Sequence, residues 1–320
     1  MKAAVYRRYG PPEVVRIEEV LTPIPKTTEL LVRVRATTVS AGDARLRSAR
    51  VPPGFGVLMR LGFGVLGPRK PILGWEFAGE VVAVGPSVSR FAPGDRVFGV
   101  RMGSHAEYVV ASQGSVAPIP RNLRDEEAAA LVFGGTTSLF YIRDKAKIQP
   151  GERVLINGAS GAVGTAAVQL AKHFGGIVTA VCSSANAELV RSLGAVRVID
   201  YVKESFTQAA DAYDIILDAV GNCTFSGCAR ALAPGGRLLL VVASLGQILA
   251  ATLRPSRAGR KVLTGVSATP GEALHFLGGL AQSGAFIPVI DRTYTLAQIA
   301  DAHAYVDTGR KKGSVVLTLS

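Results

Sequence analysis

The residues best suited to chemistry form one run, Asn157-Gly158-Ala159-Ser160-Gly161-Ala162-Val163-Gly164. An apolar stretch, Val154 to Ile156, precedes it, and small and apolar residues at helical spacing follow it to Leu170. Glycine lets the chain turn tightly and lets another group approach the backbone. The helix that follows presents unpaired N–H groups and a positive dipole end, which suits a pyrophosphate. The spacing is G-x-G-x-x-G with Ala159 in the first place and Gly161 and Gly164 in the second and third.

Which dinucleotide binds is set at the end of the next strand, where an acid roughly 20 residues on would hold the ribose 2′-hydroxyl of NAD. Cys182 stands there, followed by Ser183, Ser184 and Asn186, with Glu188 one turn into the next helix. Nothing in that stretch repels a 2′-phosphate, and several groups donate to it, so the coenzyme is expected to be NADPH. The usual Arg or Lys is missing, and Arg191 is either a source of charge or a solvated helix residue.

Other clusters are weak. His105, His173, His275 and His303 are far apart in the sequence, and no spacing typical of a metal site occurs. Cys182, Cys223 and Cys228 cannot all pair and read as reduced thiols of a cytoplasmic protein. The N-terminus lacks a secretion signal, and no apolar run reaches the ~18 residues of a membrane span. Even residues 238 to 253 read as a buried strand plus loop.

With 320 residues and 48% hydrophobic content, two packed domains are expected rather than disorder. The net charge of +12 raises nucleic acid, anionic lipid and anionic substrates as partners. Part of it is local: Arg45, Arg47, Arg50, Arg60, Arg69 and Lys70 share an acid-free stretch, and Arg254, Arg257, Arg260 and Lys261 form a second group. Nucleic acid is not expected, because these stretches lack the interleaved aromatics that stack on bases. Within the first, residues 51 to 68 are apolar, punctuated by Gly and Pro, with neither helical nor alternating period. They read as a mobile flap over a pocket, with peripheral membrane contact as the alternative.

The elements that must position the turn follow from periodicity. Strand-like alternation runs through residues 1 to 10, 13 to 25, 29 to 40, 77 to 88 and 94 to 100, giving a β-rich first domain. A helix from about Asp125 to Lys147 is expected to break at Phe133-Gly134-Gly135-Thr136-Thr137. Strands at Val154–Ile156, Ile177–Val181, Val196–Ile199, Tyr213–Ala219 and Arg237–Ala243, separated by helices, predict a doubly wound parallel sheet. An edge strand at 260 to 268 and a helix near Glu272 to Ser283 follow, and a final helix and strand return to the first domain. The expected domains are 1–122, 123–271 and the returning segment 272–320.

The order of "GWEFAGEVVAVGPSVSRFAPGDRVFG", "HAEYVV", "AAALVFGGTTSLFYI", "QPGERVLINGASGAVGTAAVQLAK", "SLGAVRVIDY" and "LDAVG" resembles the medium-chain dehydrogenase/reductase superfamily over essentially the whole chain. Within it, the chain is similar to the zinc-free quinone oxidoreductases. The resemblance implies an α/β fold with a GroES-like β-rich catalytic domain and a Rossmann doubly wound sheet. Ser40, or a neighbour, stands where zinc relatives carry a cysteine and Trp75 where they carry a histidine, so no metal is expected. It further implies Ser160, Gly161, Ala162 and Val163 on the pyrophosphate and Gly164 between helix and sheet. Ser183, Asn186 and Tyr201 match positions around the 2′-phosphate, with Asn186 replacing a lysine. Thr137 resembles a threonine beside the carboxamide. Val220, Val242 and Ala243 lie at strand ends that face the ligand, and Ser314 closes the nicotinamide side. Ser40, Asp43, Trp75 and Tyr141 are candidates to line the acceptor pocket. No general acid is assigned, and water is a candidate proton donor. A homodimer through the strand near Arg260 to Ala268 is implied as well.

Without a metal to polarise a carbonyl, hydride transfer favours acceptors that delocalise the incoming charge, such as quinones and activated enones. The expected activity is therefore NADPH-dependent quinone or enone reduction. The alternatives are reduction of 2-enoyl thioesters or alkenals, and a non-catalytic NADPH-bound protein that binds RNA or membranes.

Overall fold

The computed structural model describes residues 1–253, 257–265 and 270–319. Internal contacts divide the chain into two units, Met1–Val51 with Gly56–Thr136 and Ala268–Ser320, and Pro52–Phe55 with Thr137–Ser267. The division thus falls at 136/137 and 267/268, where the sequence suggested 122/123 and 271/272.

The first unit opens with β1 (Lys2–Tyr6), β2 (Val15–Glu19) and β3 (Glu29–Thr38), then α1 (Ala41–Ser48), α2 (Gly56–Phe63), β4 (Glu76–Val84), β5 (Arg96–Val100), β6 (Tyr108–Ser112), β7 (Val116–Pro118) and α3 (Asp125–Leu139). Strand β3 alternates as its sequence demands, burying Leu30, Val32, Val34 and Ala36 against Phe77, Val81 and Val97. Its neighbours are β4 and β6, both antiparallel.

Two expectations for this region are corrected. Residues 56 to 63 are helical rather than irregular, and Arg69 N donates to Phe63 O at 2.7 Å to close the turn that follows. Helix α3 runs unbroken through Gly134 and Gly135. A Cβ at Gly135 would fall 2.8 Å from Leu277 Cδ1, so this glycine provides close packing and not a break. The irregularity comes later, as a wide π-type turn over Phe140–Lys145.

The second unit contains β8 (Arg153–Asn157), α4 (Ala162–His173), β9 (Ile177–Cys182), α5 (Ala187–Ser192), β10 (Arg197–Asp200), β11 (Tyr213–Asp218), α6 (Phe225–Cys228), β12 (Leu232–Leu240), α7 (Leu245–Leu253) and β13 (Lys261–Leu263). The strands form a parallel sheet in the order β10-β9-β8-β11-β12-β13. The stretch after Leu240, read as loop, is largely helix α7. Its start carries a reciprocal Ser244/Gln247 cap, with Ser244 N to Gln247 Oε1 at 2.8 Å and Gln247 N to Ser244 Oγ at 3.2 Å. Arg254 and residues 266 to 268 of the expected edge strand lie outside the described residues.

The chain then forms α8 (Pro270–Gln282), β14 (Ile290–Thr295), α9 (Ile299–Asp307) and β15 (Ser314–Thr318). β15 pairs antiparallel with β3 and parallel with β14, so it is an interior strand of the first unit's seven-stranded sheet.

Candidate functional site

The glycine turn joins β8 to α4. Gly158 has φ +80°, which a side chain would resist, and Gly161 caps the helix with ordinary extended angles and no side-chain hydrogen bond. The glycines differ in what surrounds them. A Cβ at Gly164 would lie 2.1 Å from Gly158 O and 2.6 Å from Ala159 Cα, so helix and turn touch there. A Cβ at Gly161 would meet only Gly158 O, at 3.7 Å. The backbone at 161 therefore faces open space beside the first-turn N–H groups of α4, and this cradle fits a pyrophosphate.

The residues expected around the adenosine phosphate begin at Ser160. Asn186 Nδ2 donates to Ser160 Oγ at 3.0 Å, while Asn186 Oδ1 is buried without a partner among the described residues. Ser183 follows the end of β9, and Tyr201, well exposed, follows the end of the adjacent β10. The sheet register corrects one expectation. Asp200 pairs with Cys182 and so brings a carboxylate beside the position that sequence left acid-free. Burial, and then Asp200, push the Cys182 thiol upward, while Arg191 pulls it down.

Along the strand ends, Val220 packs where a Cβ on Gly158 would fall, at 2.7 Å, and Val242 where one on Gly221 would fall, at 3.0 Å, with Ala243 next in the chain. One residue that sequence reasoning missed holds this edge. The buried Asp218 carboxylate accepts from Val220 N (3.0 Å), Gly221 N (3.1 Å), Cys223 N (2.9 Å) and Asn157 Nδ2 (2.9 Å). The signal was there in "LDAVG", an acid at a strand end before a glycine turn. Thr137 is half-buried in α3, and its neighbour Ser138 donates to Val163 O at 2.8 Å, tying that helix to the first turn of α4. Tyr141 is 2% exposed, and its hydroxyl lies 2.9 Å from both Leu240 O and Gly265 O. Its hydroxyl is thus engaged with backbone carbonyls of the same unit.

In the first unit, Ser40 and Asp43 form a reciprocal cap on α1. Ser40 N and Oγ donate to Asp43 Oδ2 at 2.9 and 2.6 Å, and Asp43 N donates to Ser40 Oγ at 3.2 Å. Both are buried. Their effect reaches Trp75 through its neighbours. Gly74 N donates to Asp43 Oδ1 at 3.0 Å, Thr38 Oγ1 donates to Glu76 Oε2 at 2.7 Å, and Arg101 N donates to Trp75 O at 2.7 Å. Trp75 is thereby fixed from both sides, and its side chain lines a cavity of about 540 Å³ with Phe63, Met102, Arg69, Lys70 and Arg101. Ser314 is buried at the start of β15, where its hydroxyl donates to Ala130 O at 3.2 Å.

Behind the clamp, burial and then Asp43 raise the Glu76 carboxyl to about 8, against the pull of the Thr38 hydrogen bond. Desolvation lowers the nearby Lys311 ammonium to about 8. His105 and His303, far apart in sequence, meet edge to face with ring centroids 6.0 Å apart. His105 Nε2 donates to Thr38 O at 2.8 Å, and burial lowers both imidazoles, against the upward pull of Asp43 and the Thr38 bond on His105.

A GroES-like β unit and a parallel sheet with a dinucleotide turn define a nicotinamide-dependent oxidoreductase. Residues 26–121 match the alcohol dehydrogenase GroES-like domain, and residues 193–317 match the zinc-binding dehydrogenase family. The chain is 32% identical over 333 residues to a 2-methylene-furan-3-one reductase of Solanum lycopersicum, covering 99% of this chain and 79% of the relative. It is 30% identical over 333 residues, with the same coverage, to a chloroplastic NADPH-dependent alkenal/one oxidoreductase of Arabidopsis thaliana. The quinone oxidoreductase from Coxiella burnetii superposes with a TM-score of 0.89 at 28% identity, over 100% of this chain and 99% of that one. The chain belongs to the medium-chain dehydrogenase/reductase family.

The zinc in that family description does not fit these residues. The Ser40 hydroxyl is spent on Asp43, Trp75 offers no ligand atom, and no group of three or more His, Cys, Asp or Glu able to hold a metal occurs among the described residues. No helix among those residues is long and apolar enough to cross a membrane.

Proposed function

We propose that the protein reduces a quinone or an activated enone with NADPH and without a metal. When bound, NADPH supplies the hydride. In the enone case the hydride adds to the β-carbon, the C=C pair moves onto the carbonyl oxygen as an enolate, and water protonates the α-carbon. Ser160, Gly161, Ala162 and Val163 hold the pyrophosphate, with Gly164 packing the helix behind them. Ser183, Asn186 and Tyr201 hold the 2′-phosphate, and Thr137, Val220, Val242, Ala243 and Ser314 serve the nicotinamide end. Ser40 and Asp43 act as positioning residues for the segment that carries Trp75. The observation that carries the reading is Trp75 itself, clamped at its backbone and facing a cavity where zinc relatives would present an imidazole. Such a pocket selects acceptors that spread charge by themselves.

The test follows NADPH absorbance against a quinone panel and an alkenal panel, repeated with NADH and with a chelator. Turnover on either panel, faster with NADPH and indifferent to the chelator, is expected. No turnover on both panels, or loss of turnover on chelation, overturns the reading.

A second reading concerns the surface. Val57, Leu58, Leu61 and Leu66 are exposed beside Arg60 within an acid-free stretch, which supports peripheral contact with an anionic membrane. Co-sedimentation with phosphatidylserine vesicles and not with phosphatidylcholine vesicles is expected; equal recovery with both refutes it. A homodimer through the β13 edge is proposed too, and a monomeric mass in sedimentation equilibrium refutes that.

A further inference from the structure

The cavity beside Trp75 carries more charge than a neutral quinone or enone requires. Its lining combines the apolar Phe63, Trp75 and Met102 with the cationic Arg69, Lys70 and Arg101, and no acid lines it. Arg101 has only a distant carboxylate, Glu29 at 3.9 Å, and neither Arg69 nor Lys70 has an ion-pair partner among the described residues. The chain supplies none locally, since no Asp or Glu occurs between Asp43 and Glu76. The backbone that leads into Arg69 and Lys70 is also held in place. A Cβ at Gly64 would lie 1.9 Å from Gly67 O, so only glycine permits this tight turn, and the Arg69 N to Phe63 O bond closes it. Tyr9 anchors it from outside by donating to Gly64 O at 2.8 Å.

A lining of aromatic and cationic side chains, at a volume suited to a small molecule, recognises a planar conjugated group joined to an anion. We propose that the preferred acceptors of this enzyme carry an anionic group, a carboxylate or a phosphate, which Arg69, Lys70 and Arg101 bind while the conjugated part lies against Trp75. This rests on the reductase reading above and narrows its substrate class. An anion supplies the counter-charge that Arg69 and Lys70 lack among the described residues, so discrimination against neutral isosteres follows.

Trp75 is the only tryptophan in the chain and therefore reports binding without any turnover. (E)-4-oxopent-2-enoate and its methyl ester form the carboxylate arm; crotonyl-coenzyme A and crotonyl-N-acetylcysteamine form the phosphate arm. Quenching of Trp75 should show at least a tenfold tighter Kd for the anionic member of one arm. The arm that shows it tells whether the anion is the acceptor's own carboxylate or a carrier's phosphate. Raising the salt should erode the preference, and the triple variant Arg69→Gln, Lys70→Gln, Arg101→Gln should bring it within twofold. Equal affinities in both arms for the wild-type protein, or a preference that survives high salt or the triple variant, overturns the proposal. NADPH oxidation with the same four compounds keeps the two readings apart. No oxidation with any of them, beside a normal fluorescence preference, sinks the reductase reading alone, whereas oxidation of neutral and anionic members alike sinks only the anion requirement.

Discussion

Replacing Gly161 by alanine separates binding of the coenzyme from stability of the fold. The site has φ −78° and ψ 175°, which alanine adopts without strain, and the new methyl would touch only Gly158 O, at 3.7 Å. Removing glycine's freedom in the unfolded chain contributes ~0.4–1 kcal/mol, and the poorer N-cap costs about the same. The two offset, so the melting temperature should stay within about 3 °C of the wild type. The methyl would nevertheless occupy the space a pyrophosphate oxygen needs, and Kd for NADPH should rise at least tenfold, ~1.4 kcal/mol. Gly164→Ala is the contrast. Its methyl would meet backbone atoms at 2.1 and 2.6 Å, so the protein should lose several kcal/mol or fail to fold. Thermal melts and fluorescence titration with NADPH read both quantities. Wild-type NADPH affinity in Gly161→Ala would refute the assignment of the phosphates to this turn, and a large drop in melting temperature would refute the claim that space there is open.

Glu76→Gln should uncouple stability from pH. The Glu76 carboxyl lies near 8 in the folded chain against an ordinary 4.5, so the folded state holds the extra proton and the wild type loses stability as pH rises from about 4.5 to 8. That interval sets a ceiling of ~5 kcal/mol, and relaxation around the charge leaves ~2 kcal/mol or more. Lys311, near 8 against an ordinary 10.5, keeps its proton in both states until the top of this window, so urea unfolding at pH 5 and pH 7 separates Glu76 from it; parallel curves for variant and wild type would contradict the assignment. Asp200→Asn should raise the NADPH preference over NADH roughly threefold or more and Arg191→Ala should lower it, at ~0.7 kcal/mol each, measured as a ratio of Kd values; no change in either removes these charges from coenzyme selection. Tyr141→Phe should cost ~1 kcal/mol of stability and leave KM for the acceptor unchanged, since its hydroxyl serves backbone carbonyls; a shifted KM would restore it to the pocket.

Local chemistry made much of the second unit legible. A short apolar run, a glycine turn and helical spacing specify β8, the turn and α4 with no distant partner. What depended on distant partners was not. Gly135 reads as a break until Leu277 is seen against it. Asp200 comes beside Cys182 only through the β9–β10 register, and His105 meets His303 only after the last helix folds back. Helix α2 escaped detection because Gly56 and Gly62 lower helix propensity and its apolar residues are not confined to one face. Helix α7, by contrast, left a signal that went unread, the S-x-x-Q cap at Ser244 and Gln247.

The interior place of β15 sets an order of assembly during synthesis. The nucleotide unit is nearly continuous in sequence, so the ribosome delivers its strands one after another and it can close early. The GroES-like sheet must wait, because Val316 pairs with Thr38 and β14 adds beyond it. Until then the free rim of β3 lies open to any strand that encounters it. The threonine that steadies Glu76 lies on that rim, so the surroundings of Trp75 are among the last parts of the nascent protein to set.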